Sequence, residues 1–140
     1  MSIRPALAST NPLENISCQM GEEPIQKIFS LLYAAILEVN SAGTGILFDR
    51  FTTEEIETIY TYYNSVGALL FCNSIDKLRN YINEKLGETY SDDDYFDLCE
   101  TKEYIKIDKE ITLQYQEMVD QMEIALIKFA EQNLDLLEPT

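Results

Sequence analysis

Apolar residues recur along this chain at intervals of three and four, and no stretch alternates convincingly with period two. Ile25, Ile28, Phe29, Leu32, Ile36 and Val39 form one such stripe, which predicts an amphipathic helix from about Pro24 to Asn40. Pro24 suits a first helical turn. Ser41-Ala42-Gly43-Thr44-Gly45 ends the pattern with two glycines in three residues. Thr52 and Glu55 have the S/T-x-x-E spacing of a capping box, and Ile56, Ile59, Tyr60 and Tyr63 follow as an apolar side. Asn64-Ser65-Val66-Gly67 reads as a break. Phe71, Ile75, Leu78, Ile82 and Leu86 then predict a helix from about Ala68 to Leu86, with Gly87 placed as its C′ residue.

Ser91-Asp92-Asp93-Asp94 resembles a second capped start, since carboxylates favour the positive end of a helix dipole. Tyr95, Phe96, Leu98 and Cys99 follow it. A short link near Lys102–Ile107 is expected to lead into one long helix from about Asp108 to Leu137. Ile111, Tyr115, Met118, Met122, Ala125, Phe129 and Leu136 would form its buried stripe. Residues 1–23 have sparse apolar positions and read as a partly ordered arm, although Leu13, Ile16 and Met20 have helical spacing. The expected fold is all-α: a single-domain irregular bundle of about five helices over residues 24–140.

Charge adds a second pattern. The chain has 140 residues and a net charge of −15, with no His. Residues 88–140 contain 15 Asp and Glu against 4 Lys, whereas residues 1–87 contain 10 acids and 6 bases. Direct binding to nucleic acid is not expected, because phosphate contacts need Lys and Arg. The same balance opposes docking on an anionic membrane, and no apolar run reaches the length of a span. An apolar fraction of 46% argues for a folded globule rather than an acidic tail. Three scattered cysteines, Cys18, Cys72 and Cys99, suggest no disulfide framework and a reducing compartment. The N-terminus shows no secretory pattern, so a cytoplasmic location is expected.

Catalytic chemistry finds little support. Without His, the usual Ser-His and Cys-His nucleophile pairs are absent. No phosphate-binding glycine loop is present. Asp92, Asp94 and Phe96 fall on the first alternating positions of a calcium loop, but Asp97 stands where its central glycine belongs, so helix capping is the better reading. Glu54 and Glu55 read as solvated acids, and Cys72 and Cys99 as core residues. No catalytic residue, metal or cofactor is expected.

The acids of the last third remain. On one long helix, Asp108, Glu110, Glu117, Asp120, Glu123 and Glu131 would display carboxylates at intervals comparable with backbone phosphates; Glu110 and Glu117 would stand ~10 Å apart along the axis. Excess charge of this kind also serves solubility alone.

Residues 25–82 resemble the core of a small acidic family of bacterial DNA-mimic proteins, the DMP type. The similar elements are Glu38-Val39-Asn40-Ser41-Ala42-Gly43, Thr53-Glu54-Glu55 and Ser65-Val66-Gly67-Ala68. Asp92-Asp93-Asp94-Tyr95-Phe96-Asp97-Leu98 and the closing stretch Phe129–Leu137 are similar to later parts of that family. The resemblance implies a helical, non-catalytic protein that imitates DNA charge and occupies a DNA-binding protein. Such a chain would inhibit or regulate a basic nucleic-acid-binding partner: a transcription factor, a nuclease or a CRISPR effector. The candidate contact residues are Asp92, Asp93, Asp97, Asp108, Glu110, Glu117, Asp120 and Glu123. A homodimer is a further option, because it would lengthen the acidic surface. The competing expectation is a helical adaptor or toxin-immunity protein with an apolar and aromatic interface that uses Tyr60 and Tyr62.

Overall fold

The computed structural model describes residues 2–139 and is helical throughout, with no strand among them. Among the described residues ten α-helices replace the expected five or so. They are α1 (Ile3–Leu7), α2 (Pro12–Ser17), α3 (Pro24–Ala42), α4 (Leu47–Arg50), α5 (Thr53–Ser65), α6 (Leu69–Leu86), α7 (Asp92–Cys99), α8 (Lys102–Thr112), α9 (Tyr115–Gln132) and α10 (Leu134–Leu137). A 3₁₀ turn, Thr44–Ile46, links α3 to α4.

The strongest local signals form as expected. Pro24 opens α3, and Gly43 ends it at φ 84°, donating its N–H to Val39 O at 2.8 Å. Both halves of the Thr52–Glu55 capping box form at the start of α5. Gly87 ends α6 at φ 82°, a backbone conformation that favours glycine.

Residues 3–17, expected in a partly ordered arm, instead supply two short helices to the core. Ile3, Ala6, Leu13 and Ile16 are buried in the same cluster as Phe29, Leu32, Phe71, Leu126 and Phe129. Their spacing alone is weak; tertiary burial makes these helices. Buried Gln26 fixes the corner, accepting from Gly21 N at 2.9 Å and donating to Leu137 O at 3.3 Å. Within the same core, Tyr63 donates to Leu32 O at 2.6 Å, the Thr44 and Ser74 hydroxyls share one hydrogen bond of 2.9 Å, and Ser74 Oγ lies 2.6 Å from its acceptor Phe71 O.

The expected long helix from Asp108 to Leu137 is divided. The region near Lys102–Ile107, expected as a link, is the first part of α8, which Thr101 caps by accepting from Tyr104 N. Leu113 and Gln114 then separate α8 from α9. The break has a packing reason: Ile111 faces the C-terminal half of α6, whereas Met118 faces the main core. A second break at Asn133 shifts the register again, so Leu137 is buried and Leu136, expected in the core, is 62% exposed.

A smaller layer, α7 and α8, lies on the C-terminal half of α6. Leu78 packs with Tyr104 and Ile111, and Ile82 packs with Tyr95 and Leu98. Gly45 lies under this layer. Tyr95 Oη donates to Gly45 O at 3.4 Å, and a Cβ at Gly45 would meet Tyr104 Oη at 2.7 Å. None of the helices is long and apolar enough to cross a membrane among the described residues.

Candidate acidic interface

Helix α9 is held along its whole inner face. Met118, Val119, Met122, Ala125, Leu126, Phe129 and Ala130 are buried. At its start, Tyr115 Oη donates to Asn40 Oδ1 at 2.6 Å, which ties α9 to the end of α3. Gln121 Oε1 accepts from Leu70 N at 3.1 Å and so satisfies an open N–H in the first turn of α6. The outer face is therefore fixed in direction, and it presents Glu117, Asp120 and Ile124 to solvent.

Glu123 leans from that face into a shallow cleft between α2, α3 and α9. The cleft holds about 250 Å³ and is lined by Leu13, Glu14, Tyr33, Ile36, Leu37 and Ile127 among others. Its rim carries two exposed carboxylates, Glu14 and Glu123, and its wall mixes apolar side chains and Tyr33 with the polar Thr10, Asn11 and Asn40. Burial raises the pKa of the Tyr33 phenol, and negative charge at Glu14, Cys18 and Glu123 pushes it in the same direction. Both rim acids thus bear on one ring. A Lys or Arg side chain suits this arrangement. Its stem would cover the exposed Leu37, and its charge would meet the carboxylates beside Tyr33.

The eight acids singled out from the sequence fall into three settings. Asp92, Asp93 and Asp97 are exposed on α7, where Ser91 caps the helix by accepting from Asp94 N at 3.2 Å. Asp108 and Glu110 do not share a helix with Glu117, Asp120 and Glu123. Asp108 is half-buried over Gly45, and burial raises its pKa. Glu110 accepts an ion pair from Lys77 at 3.3 Å. Glu117, Asp120 and Glu123 do stand together on α9, where Asp120 accepts from Gln116 Nε2 at 3.0 Å. Among the described residues, Glu22, Glu57, Asp76, Glu103 and Glu110 are the only acids in ion pairs. Among the described residues the other carboxylates have no cationic group in ion-pair range.

Sequence reasoning missed Glu14 and Tyr33, because the segment that carries Glu14 read as an arm. The signal for Tyr33 was its place beside Leu32 and Ile36, at the edge of the α3 stripe. The outer face of α8 was also missed, and it is basic: Lys102, Lys106 and Lys109 are all exposed there.

Tyr60 and Tyr62 are half-buried and make their contacts within the chain. Tyr60 donates to Asp76 Oδ2 at 2.9 Å beneath the Arg79 guanidinium, and Tyr62 meets Phe129 edge-on at 5.5 Å. A larger cleft of about 400 Å³ lies beside Phe48, Phe51, Ile56, Arg79, Asn83 and Tyr90. Its cation, Arg79, is engaged by Glu57 and Asp76. The thiols are unpaired, and burial pushes Cys72 up to about 12, away from reactivity at neutral pH. Among the described residues no group of three or more Cys, Asp or Glu is arranged to hold a metal ion.

Comparison with protein-family models, curated proteins and solved structures finds no match to this chain.

Proposed function

We propose that this chain is a non-catalytic inhibitor or regulator that occupies the basic surface of a nucleic-acid-binding protein. The acids at the start of α9 and the adjoining cleft form the contact. The observation that carries this reading is the fixed, unpaired acidic group Glu117, Asp120 and Glu123, joined across the cleft by Glu14. From Glu117 to Glu123 the helix rises ~9 Å and carries three carboxylates. One strand of duplex DNA carries a phosphate per ~3.4 Å of axis, a comparable density. A partner that binds phosphate would meet charges of similar spacing on a rigid support, with Tyr33 to receive one cationic side chain.

The partner class is a transcription factor, a nuclease or a CRISPR effector, each with a basic groove. Long-range attraction would speed encounter with such a groove and weaken as salt rises. The test is capture of partners from a lysate of the source cells, with excess duplex DNA as competitor and salt raised from about 50 to about 300 mM. Captured proteins should be displaced by the DNA and lost with salt. The combined variant Glu14→Gln, Glu117→Gln, Asp120→Asn and Glu123→Gln should retain fewer than a tenth of them. Capture that resists both DNA and neutralisation of these four residues would refute the reading and favour the apolar adaptor.

A further inference from the structure

Helices α7 and α8 repeat one positional pattern with opposite signs. On α7, counting its C-cap residue Glu100, the acids Asp93, Asp97 and Glu100 fall at positions i, i+4 and i+7 from Asp93, and Phe96 at i+3 is 53% exposed. On α8, Lys102, Lys106 and Lys109 fall at the same intervals from Lys102, and Ile105 at i+3 is 43% exposed. Leu113, 87% exposed, extends the basic strip by one further turn. These lysines make no ion pair among the described residues, and neither do the three acids of α7. Both helices direct their buried residues, Tyr95 and Leu98 or Tyr104 and Ile111, toward α6. Their patterned faces therefore lie on the same outer side of one two-helix layer.

We propose that two copies of this chain associate through that layer, with α7 of each copy lying antiparallel against α8 of the other. A two-fold axis makes both contacts at once, because each copy supplies one acidic and one basic face. Each charged triad spans eight residues, seven steps or ~10 Å of helix. In the antiparallel arrangement Asp93 meets Lys109 and Glu100 meets Lys102, and Asp97 faces Lys106 with an offset of one residue, ~1.5 Å of helix, which the long lysine side chain spans. Phe96, Ile105 and Leu113 from both copies fill the space between the charged rows. The matching spacing favours a second copy over any other occupant, since the complement to α8 is carried by this chain itself. The contact rests on two short helices, α7 and α8, and on exposed charges that water and salt screen, so the dimer should be weak, with a dissociation constant on the order of 10 μM. This inference does not depend on the function proposed for α9, which packs on α2, α3, α5 and α6.

Charge reversal with mixing tests it by sedimentation equilibrium at about 0.15 M ionic strength, where distant charges are screened. One variant combines Lys102→Glu, Lys106→Glu and Lys109→Glu. The other combines Asp93→Lys, Asp97→Lys and Glu100→Lys. All six positions are exposed, and far-ultraviolet circular dichroism checks that the helices are kept. The wild type should dimerise, each variant alone should bind itself at least tenfold more weakly, and an equimolar mixture should form a heterodimer. Three changes of two units move the net charge from −15 to −21 or to −9, so both variants remain acidic and overall attraction cannot explain rescue. A wild type that stays monomeric to about 200 μM, well above the expected constant, overturns the proposal. So does a dimer that ignores both reversals, or a mixture that stays monomeric. Binding of the monomer to vesicles of anionic lipid, lost in the lysine variant, would assign the strip to a membrane surface and likewise overturn it.

Discussion

Helix α6 runs through two regions of very different depth. Its first half carries Phe71, Cys72 and Ile75 into the main core, which is continuous from α1 to α9 and α10. Its second half carries Leu78 and Ile82 into two small clusters under α7 and α8. One helix thus has a half packed between α5 and α9 in the main core and a half covered by a single layer. The layer is fixed by few apolar groups and by polar contacts at its edges, such as Glu103, which meets Lys85 at 3.4 Å and accepts from Tyr81 Oη at 3.0 Å. Burial, more than helix propensity, should therefore decide which part opens first.

The largest expected effect lies in the main core. Phe71→Ala should cost about 3–5 kcal/mol and lower the urea midpoint of the whole chain. Loss confined to one helix would show that the main core is not a single cooperative unit. Leu98→Ala should cost about 2 kcal/mol, and hydrogen exchange should quicken in α7 and α8 while α3 and α9 keep their protection. Equal acceleration everywhere would erase the distinction between the regions. Gly45→Ala forces a methyl group against Tyr104 Oη and should cost about 1 kcal/mol, read as faster exchange in the same two helices.

Alkaline pH acts on both regions. Burial raises the pKa of Tyr63 and Cys72 in the main core and of Tyr95 and Tyr104 in the layer, Cys72 to about 12. The unfolded chain releases these protons near the ordinary values, ~8.5 for a thiol and ~10 for a phenol, while the folded chain still holds them. The unfolded state therefore binds fewer protons, and stability should fall as pH rises from about 9 toward 12. Urea midpoints across that range check the sign, and Cys72→Ala should reduce the slope. A midpoint that stays level or rises would contradict it.

Local signals were legible where a short motif sufficed. Pro24, the Thr52–Glu55 box, Gly43 and Gly87 located α3, α5 and α6 with small errors at their ends. The charged surface was harder to read. A 3.6-residue period continues through Leu113 and Gln114, so nothing local announces a break there; only the two separate targets of Ile111 and Met118 require it. That break removed Asp108 and Glu110 from the acidic row and left Glu117, Asp120 and Glu123 in it. The α1 and α2 helices were unreadable for a related reason. Each is too short to hold its shape without the core that receives Ile3 and Ile16.

The surplus of unpaired carboxylates also bears on colloidal behaviour. If the α7–α8 layer lifts, Leu78 and Ile82 lose their cover, and two opened molecules would present matching sticky patches. Each molecule carries a charge of −15, so close approach by routes other than the sign-matched strip is repulsive. Reclosure within one chain faces no such barrier and should outrun clumping at neutral pH. Near pH 4.1, where the charge vanishes, that protection is withdrawn, and brief opening of the layer becomes a route to precipitation.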